Sequence, residues 1–123
     1  MAVILVVEDE MMIRLYAEQM VTDWGRTTLT AGDVDAALAH LHSPRHIDVL
    51  FTEIRLKDAL HGGYGIARRA VELRPQLRVL YATGDLISDK NASLFVKGTQ
   101  CLQKPYTEAG LQKSIAGLLA APS

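Results

Sequence analysis

Val3-Ile4-Leu5-Val6-Val7 runs directly into Glu8-Asp9-Glu10. An apolar run of strand length, rich in β-branched side chains, describes a strand covered on both faces, as at the centre of a parallel sheet. The acids that follow mark the carboxyl end of that strand as polar. The same arrangement returns three times. Val49-Leu50-Phe51-Thr52 stops at Glu53, Val79-Leu80-Tyr81-Ala82 stops at Thr83-Gly84, and Cys101-Leu102 leads into Lys104-Pro105.

Helical periodicity fills the intervals. Ile13, Tyr16, Ala17, Met20, Val21 and Trp24 form one stripe at 3.6-residue spacing, and Gly25 is placed to stop it. Thr27-Thr28-Leu29-Thr30 reads as a more polar strand nearer an edge. Asp33 is the expected N-cap of a second helix with Val34, Ala37, Leu38 and Leu41 inward and Pro44 beyond its end. The third strand spans Ile47 to Thr52. A polar, glycine-bearing loop from about Glu53 to Gly63 is expected next, then a third helix carrying Ile66, Ala67, Ala70 and Leu73, ended by Pro75. A fourth helix is expected over Ser88 to Lys97. Thr107 caps the last, with Leu111, Ile115, Leu118 and Leu119 on one face.

Strict strand-helix alternation, five times over, implies an α/β domain: a five-stranded parallel sheet with helices on both sides. Right-handed crossovers favour the flavodoxin-like strand order 2-1-3-4-5, a (βα)5 three-layer sandwich. The 123 residues suffice for one domain, 1–123, with a core that needs no staples. A net charge of -1 argues against a general nucleic-acid binder. Cys101, the only cysteine, excludes an intrachain disulfide. The opening apolar run is too short for a membrane span and lacks the flanks of a secretory signal, so a cytoplasmic protein is the expectation.

In such folds ligands gather at the carboxyl ends of the strands, around the switch point between strands 1 and 3. Glu8, Asp9 and Glu53 converge there and would repel one another unless a cation intervened. Mg2+ suits oxygen donors of this kind, and Lys104 can supply a compensating ammonium. Thr83 offers a hydroxyl, and Gly84 permits close backbone approach to an anion. Taken singly each residue has a plain reading: an acidic first helical turn, a turn threonine, a surface Lys-Pro, a loop acid. Their joint placement at four strand ends is what points to a phosphate-and-metal pocket.

With those residues in view, the chain resembles the receiver domain of bacterial two-component response regulators, the CheY-like superfamily, over essentially its whole length. Val-Val-Glu-Asp-Glu, Phe-Thr-Glu-Ile-Arg-Leu, Tyr-Ala-Thr-Gly and Gln-Lys-Pro-Tyr carry the likeness. The resemblance implies phosphorelay signalling: a sensor histidine kinase or phosphotransfer protein hands a phosphoryl group to an aspartate ending strand 3. It implies weak Mg2+ binding by Glu8, Asp9, Glu53 and the Arg55 carbonyl. Thr83 and Lys104 would grip the phosphoryl oxygens, and the Lys104-Pro105 bond would be cis. A downstream protein would dock on roughly Ser88 to Leu119, and a homodimer is compatible with the family. No enzymatic turnover, nucleic-acid contact or membrane contact is implied.

Three departures fall on the switching apparatus. Glu53 stands where the family has its acceptor aspartate. Lys57 replaces a proline, before a loop enriched in Gly62, Gly63 and Gly65. Cys101 stands where an aromatic residue often reports the switch. Phosphorylation is therefore expected to be impaired or mimicked. The alternative within the class is a receiver still phosphorylated, on Glu53 or on Asp9. Outside it stand a flavodoxin-like cofactor binder, for which no Gly-x-Gly-x-x-Gly or Walker loop follows a strand, and a Mg2+-dependent phosphatase, whose paired aspartates one residue apart are missing. His40, His42, His46 and His61 lack metal-pair spacing and are expected at exposed helix ends.

Overall fold

The computed structural model describes residues 2–56, 62–84 and 99–120. Five strands, β1 (Val3–Val7), β2 (Thr27–Ala31), β3 (Val49–Glu53), β4 (Arg78–Thr83) and β5 (Gln100–Gln103), form one parallel sheet in the order β2-β1-β3-β4-β5. The described helices are α1 (Met11–Asp23), α2 (Val34–His42), α3 (Gly62–Leu73) and α4 (Glu108–Ala120). The helix expected over Ser88 to Lys97, and Lys57 and His61, lie outside the described residues.

Period-two alternation of side chains divides the core between two faces. Leu5 and Val7, Leu50, and Val79 and Tyr81 pack with α2 and α3 through Ala37, Leu41, Tyr64, Ile66, Ala67 and Ala70. Ile4 and Val6, Val49 and Phe51, and Leu80 and Ala82 turn the other way, onto Ala17, Met20 and Val21 of α1 and Leu111, Ile115 and Leu118 of α4. Both faces are apolar because both are covered, which is why the strands read as unbroken hydrophobic runs. The polar strand β2 lies at the sheet's edge, as its threonines suggested.

The helix ends follow the sequence signals. Gly25 takes φ +80 after α1, the left-handed conformation that glycine adopts without a Cβ penalty. Asp33 Oδ1 accepts from the Ala36 N–H at 2.8 Å, and Thr107 Oγ1 from the Gly110 N–H at 3.0 Å.

Three expectations need correction. Tyr16, assigned to the buried stripe of α1, is 53% exposed beside Met11, Met12 and Leu15. The buried side of that helix is made by Ala17, Met20 and Val21, and Tyr16, about 100° around the axis from Ala17, lies off that side. Gly62, Gly63 and Gly65 belong to the first turn of α3 rather than to a flexible loop. His40 is half-buried, and its Nε2 lies 2.9 Å from the Thr30 carbonyl oxygen, tying α2 to β2.

Arg74, just past α3, was not legible as structural. Its Nε, Nη2 and Nη1 donate to the carbonyls of Leu41, Ser43 and Arg45 at 3.1, 2.8 and 2.6 Å. One guanidinium thus satisfies orphan carbonyls at and beyond the end of α2, using the planar fork that lysine lacks. Arg74→Ala should lower unfolding free energy by about 2 kcal/mol in denaturant titration, and Arg74→Lys should recover less than half of that loss.

Candidate functional site

The register of the sheet assembles the site. Ile4 pairs with Val49 and Val7 with Thr52, so one step further along both strands sets Glu8 beside Glu53. Glu8 shares the face of Ile4 and Val6, and Glu53 that of Val49 and Phe51, so alternation points both acids the same way. Backbone bonds hold each strand end to its neighbour: Glu8 N–H to Ala31 O, Ile54 N–H to Ala82 O, and Lys104 N–H to Thr83 O at 2.7 Å. Arg14 of α1 adds an Nη1 bond to the Glu8 carbonyl at 2.8 Å.

Lys104 enters this rim directly after β5, and its bond to the following Pro105 is cis, as expected. Its ammonium donates to Glu8 Oε1 at 2.6 Å and lies 2.5 Å from Glu53 Oε2. The second contact is a charge pairing, because Oε2 has no well-aligned donor. Glu8 and Glu53 are 4% and 7% exposed. Two carboxylates from different strands therefore share one lysine inside the protein. Removing that lysine would strand two buried charges, a loss on the order of 3–5 kcal/mol.

The protonation equilibria follow from this crowding. Burial raises the Glu8 carboxyl above its usual range, and Asp9 and Glu53 push it further, while Lys104 pulls back. Burial lowers the Lys104 ammonium, but its contacts with Glu53 and Glu8 outweigh burial and leave it raised. Cys101 of β5, half-buried and in register with Tyr81, has its thiol raised by burial and then by the charge of Glu53.

The remaining candidates occupy the same rim. Thr83 ends β4 and is 3% exposed, Gly84 beyond it is exposed, and Asp9 is half-buried next to Glu8. Arg55 is exposed, one residue past Ile54. Among the described residues, no three His, Cys, Asp or Glu side chains converge as ligands of one metal ion.

Two contributors escaped the sequence reading. Gly63 packs so closely on the end of β3 that a Cβ there would stand 2.2 Å from the Glu53 carbonyl oxygen and 2.7 Å from the Ile54 Cα. Its N–H donates to the Ile54 carbonyl at 3.0 Å. Only a residue without a side chain lets α3 brace the backbone that carries Glu53. Tyr106, two residues after Lys104, stacks edge-on against Phe51 with ring centroids 5.6 Å apart. Its place directly after Lys-Pro was the one available signal.

A parallel α/β sandwich with acids and a lysine meeting at its strand ends defines a class: doubly wound domains with a charged pocket at the carboxyl rim of the sheet. A profile of the response regulator receiver domain matches residues 4–116, and the chain belongs to that family. It is thus a receiver domain of the two-component system, a family of signalling modules rather than of classical enzymes.

A response regulator receiver protein from Sinorhizobium medicae WSM419 superposes with a TM-score of 0.89 at 31% identity, covering 98% of this chain and 95% of that one. A CheY-like receiver domain from Methanospirillum hungatei JF-1 gives 0.86 at 23% identity, with 97% and 94% covered. A receiver domain from Clostridium thermocellum gives 0.84 at 26% identity, again with 97% and 94% covered. No curated protein matches the chain. No described helix is long and apolar enough to cross a membrane.

Two measurements probe the walls of the site. Gly63→Ala should destabilise the fold by about 1–3 kcal/mol, the cost of forcing atoms into a packed contact, read as a lowered denaturation midpoint. Tyr106 should ionise late, since burial pushes its phenol up to about 12. A phenol raised in the folded state favours folding fully below its ordinary value of 10.0, and this contribution is lost as pH rises towards about 12. Phenolate absorbance of the unaltered chain minus that of Tyr106→Phe should titrate in that upper range. Lys104, Glu8, Glu53 and Tyr16 are the charged or titratable groups around it.

Proposed function

We propose that this receiver domain signals through partner binding with Glu53 at the phosphoacceptor position, and that the glutamate both hinders phosphorylation and partly replaces it. The observation that carries the reading is the buried contact of Glu53 with Lys104 at 2.5 Å.

Compared with an aspartate, the added methylene advances the carboxylate by roughly 1.5 Å, one carbon-carbon bond. Phosphoryl transfer depends on in-line positioning and electrostatic stabilisation, and a misplacement near 1 Å can cost about a hundredfold in rate. Glu53 is accordingly a poor acceptor. The same displacement delivers its oxygen to the lysine that would hold a phosphoryl group, a charge-assisted contact made without phosphate. Mimicry is partial: a carboxylate brings one negative charge and two oxygens, a phosphoryl group nearly two charges and three. The population of the active arrangement shifts by the corresponding fraction.

Receiver domains interact with histidine kinases or phosphotransfer proteins and with downstream partners. For this chain we assign downstream contact to the surface formed by β5 and α4, within the segment from about Ser88 to Leu119. It adjoins Lys104 and Cys101, so a change at the pocket reaches it through a few residues of backbone.

Glu53→Asp should take label from a small phosphodonor such as acetyl phosphate, about a hundredfold faster than the unaltered chain. Equal labelling rates and equal stability of the label would overturn the reading. Mass spectrometry of the treated unaltered chain locates any phosphoryl group, and modification of Glu53 or Asp9 at the variant's rate would establish the competing view of a working acceptor.

A further inference from the structure

Receiver domains generally bind Mg2+ at the phosphorylation site. The donor set here does not fit that ion as it is arranged. Glu8 has both carboxylate oxygens engaged, Oε1 by the Lys104 ammonium at 2.6 Å and Oε2 by the Glu10 N–H at 3.4 Å. Glu53 presents Oε2 to the same ammonium at 2.5 Å. Both acids are almost fully enclosed, and among the described residues no third His, Cys, Asp or Glu side chain joins them as a metal ligand. Mg2+ demands near-octahedral geometry at about 2.0–2.1 Å and dehydrates reluctantly. An incoming ion would have to displace a cation that is covalently tethered at the spot.

We propose that the Lys104 ammonium serves as the resident cation of this pocket, holding Glu8 and Glu53 together where a divalent ion would otherwise stand, so that divalent ions bind weakly until the lysine or the reach of Glu53 is removed. The reason is geometric. A tethered ammonium loses no translational freedom on pairing, whereas a free ion does. It also repels any second cation at contact distance. The length of Glu53 is what completes the clamp, since an acid shorter by roughly 1.5 Å would leave the ammonium chiefly to Glu8. Asp9, half-buried next to Glu8, does not join Glu8 and Glu53 in one ligand set.

This inference rests on the receiver reading of the pocket, yet its test is separate from labelling. Mn2+ is titrated into the unaltered chain, Lys104→Met and Glu53→Asp, with free Mn2+ counted by its electron paramagnetic resonance signal. Thermal midpoints are recorded with and without millimolar Mg2+. The unaltered chain should leave Mn2+ free and keep its midpoint, while both variants bind at least roughly tenfold more tightly as short-range repulsion is relieved and melt higher in Mg2+. Where Lys104→Met does not fold, Glu53→Asp decides, because it keeps the lysine and adds no unpaired buried charge. If either folded variant fails to bind Mn2+ more tightly than the unaltered chain, the clamp is not the competitor and the inference fails. A Glu53→Asp chain that takes phosphoryl label but gains no Mn2+ affinity sinks this inference alone. One that gains affinity but takes no label sinks the acceptor reading alone.

Discussion

One lysine held between two buried acids is the constraint on which the upper rim of this domain depends. Parallel strands bring Glu8 and Glu53 side by side, and like charges so close and so dry cannot both persist without a counter-charge. Lys104 supplies it from a segment 96 positions away along the chain from Glu8. The pairing is therefore a product of tertiary structure that also stabilises it. It closes the sheet's rim from β1 across β3 to the chain beyond β5.

The scaffold beneath is built to hold that rim rigid. The ends of β1, β3 and β5 each donate a backbone bond to a neighbouring strand, and Gly63 lets α3 press against the very carbonyl of Glu53. Core side chains pack both faces of the sheet, so bending it would cost packing contacts. The added length of a glutamate therefore cannot be absorbed by backbone movement and appears as reach at the carboxylate. That is the physical basis for treating position 53 as a partial substitute for a phosphoryl group, and for treating the lysine as the pocket's own cation.

Much of this is readable in the sequence. The apolar runs, the caps Asp33 and Thr107, the stop at Gly25 and the polar edge strand are local signals, each produced by interactions within a few residues. The strand order followed from alternation and handedness. Acids, threonine and lysine at four strand ends were legible because a parallel sheet places all its carboxyl ends on one side. The glycines that open α3 read as a loop in the sequence, since Gly-Gly signals freedom, while here one of them signals contact. Tyr16 fits the spacing of the stripe, and spacing carries no information on how wide a side of the helix the core covers.

Composition and order along the chain thus determined which residues could meet: a doubly wound α/β sandwich with a fixed set of polar strand ends, and a glutamate among them. Only the folded arrangement decided how they meet. Arg74 reaching three carbonyls of another segment, Gly63 touching β3, and a single ammonium shared by Glu8 and Glu53 all join separate segments of the chain. Such contacts depend on register and on ångström-scale distances, and those are set by the packing of the whole sheet rather than by any local run of residues.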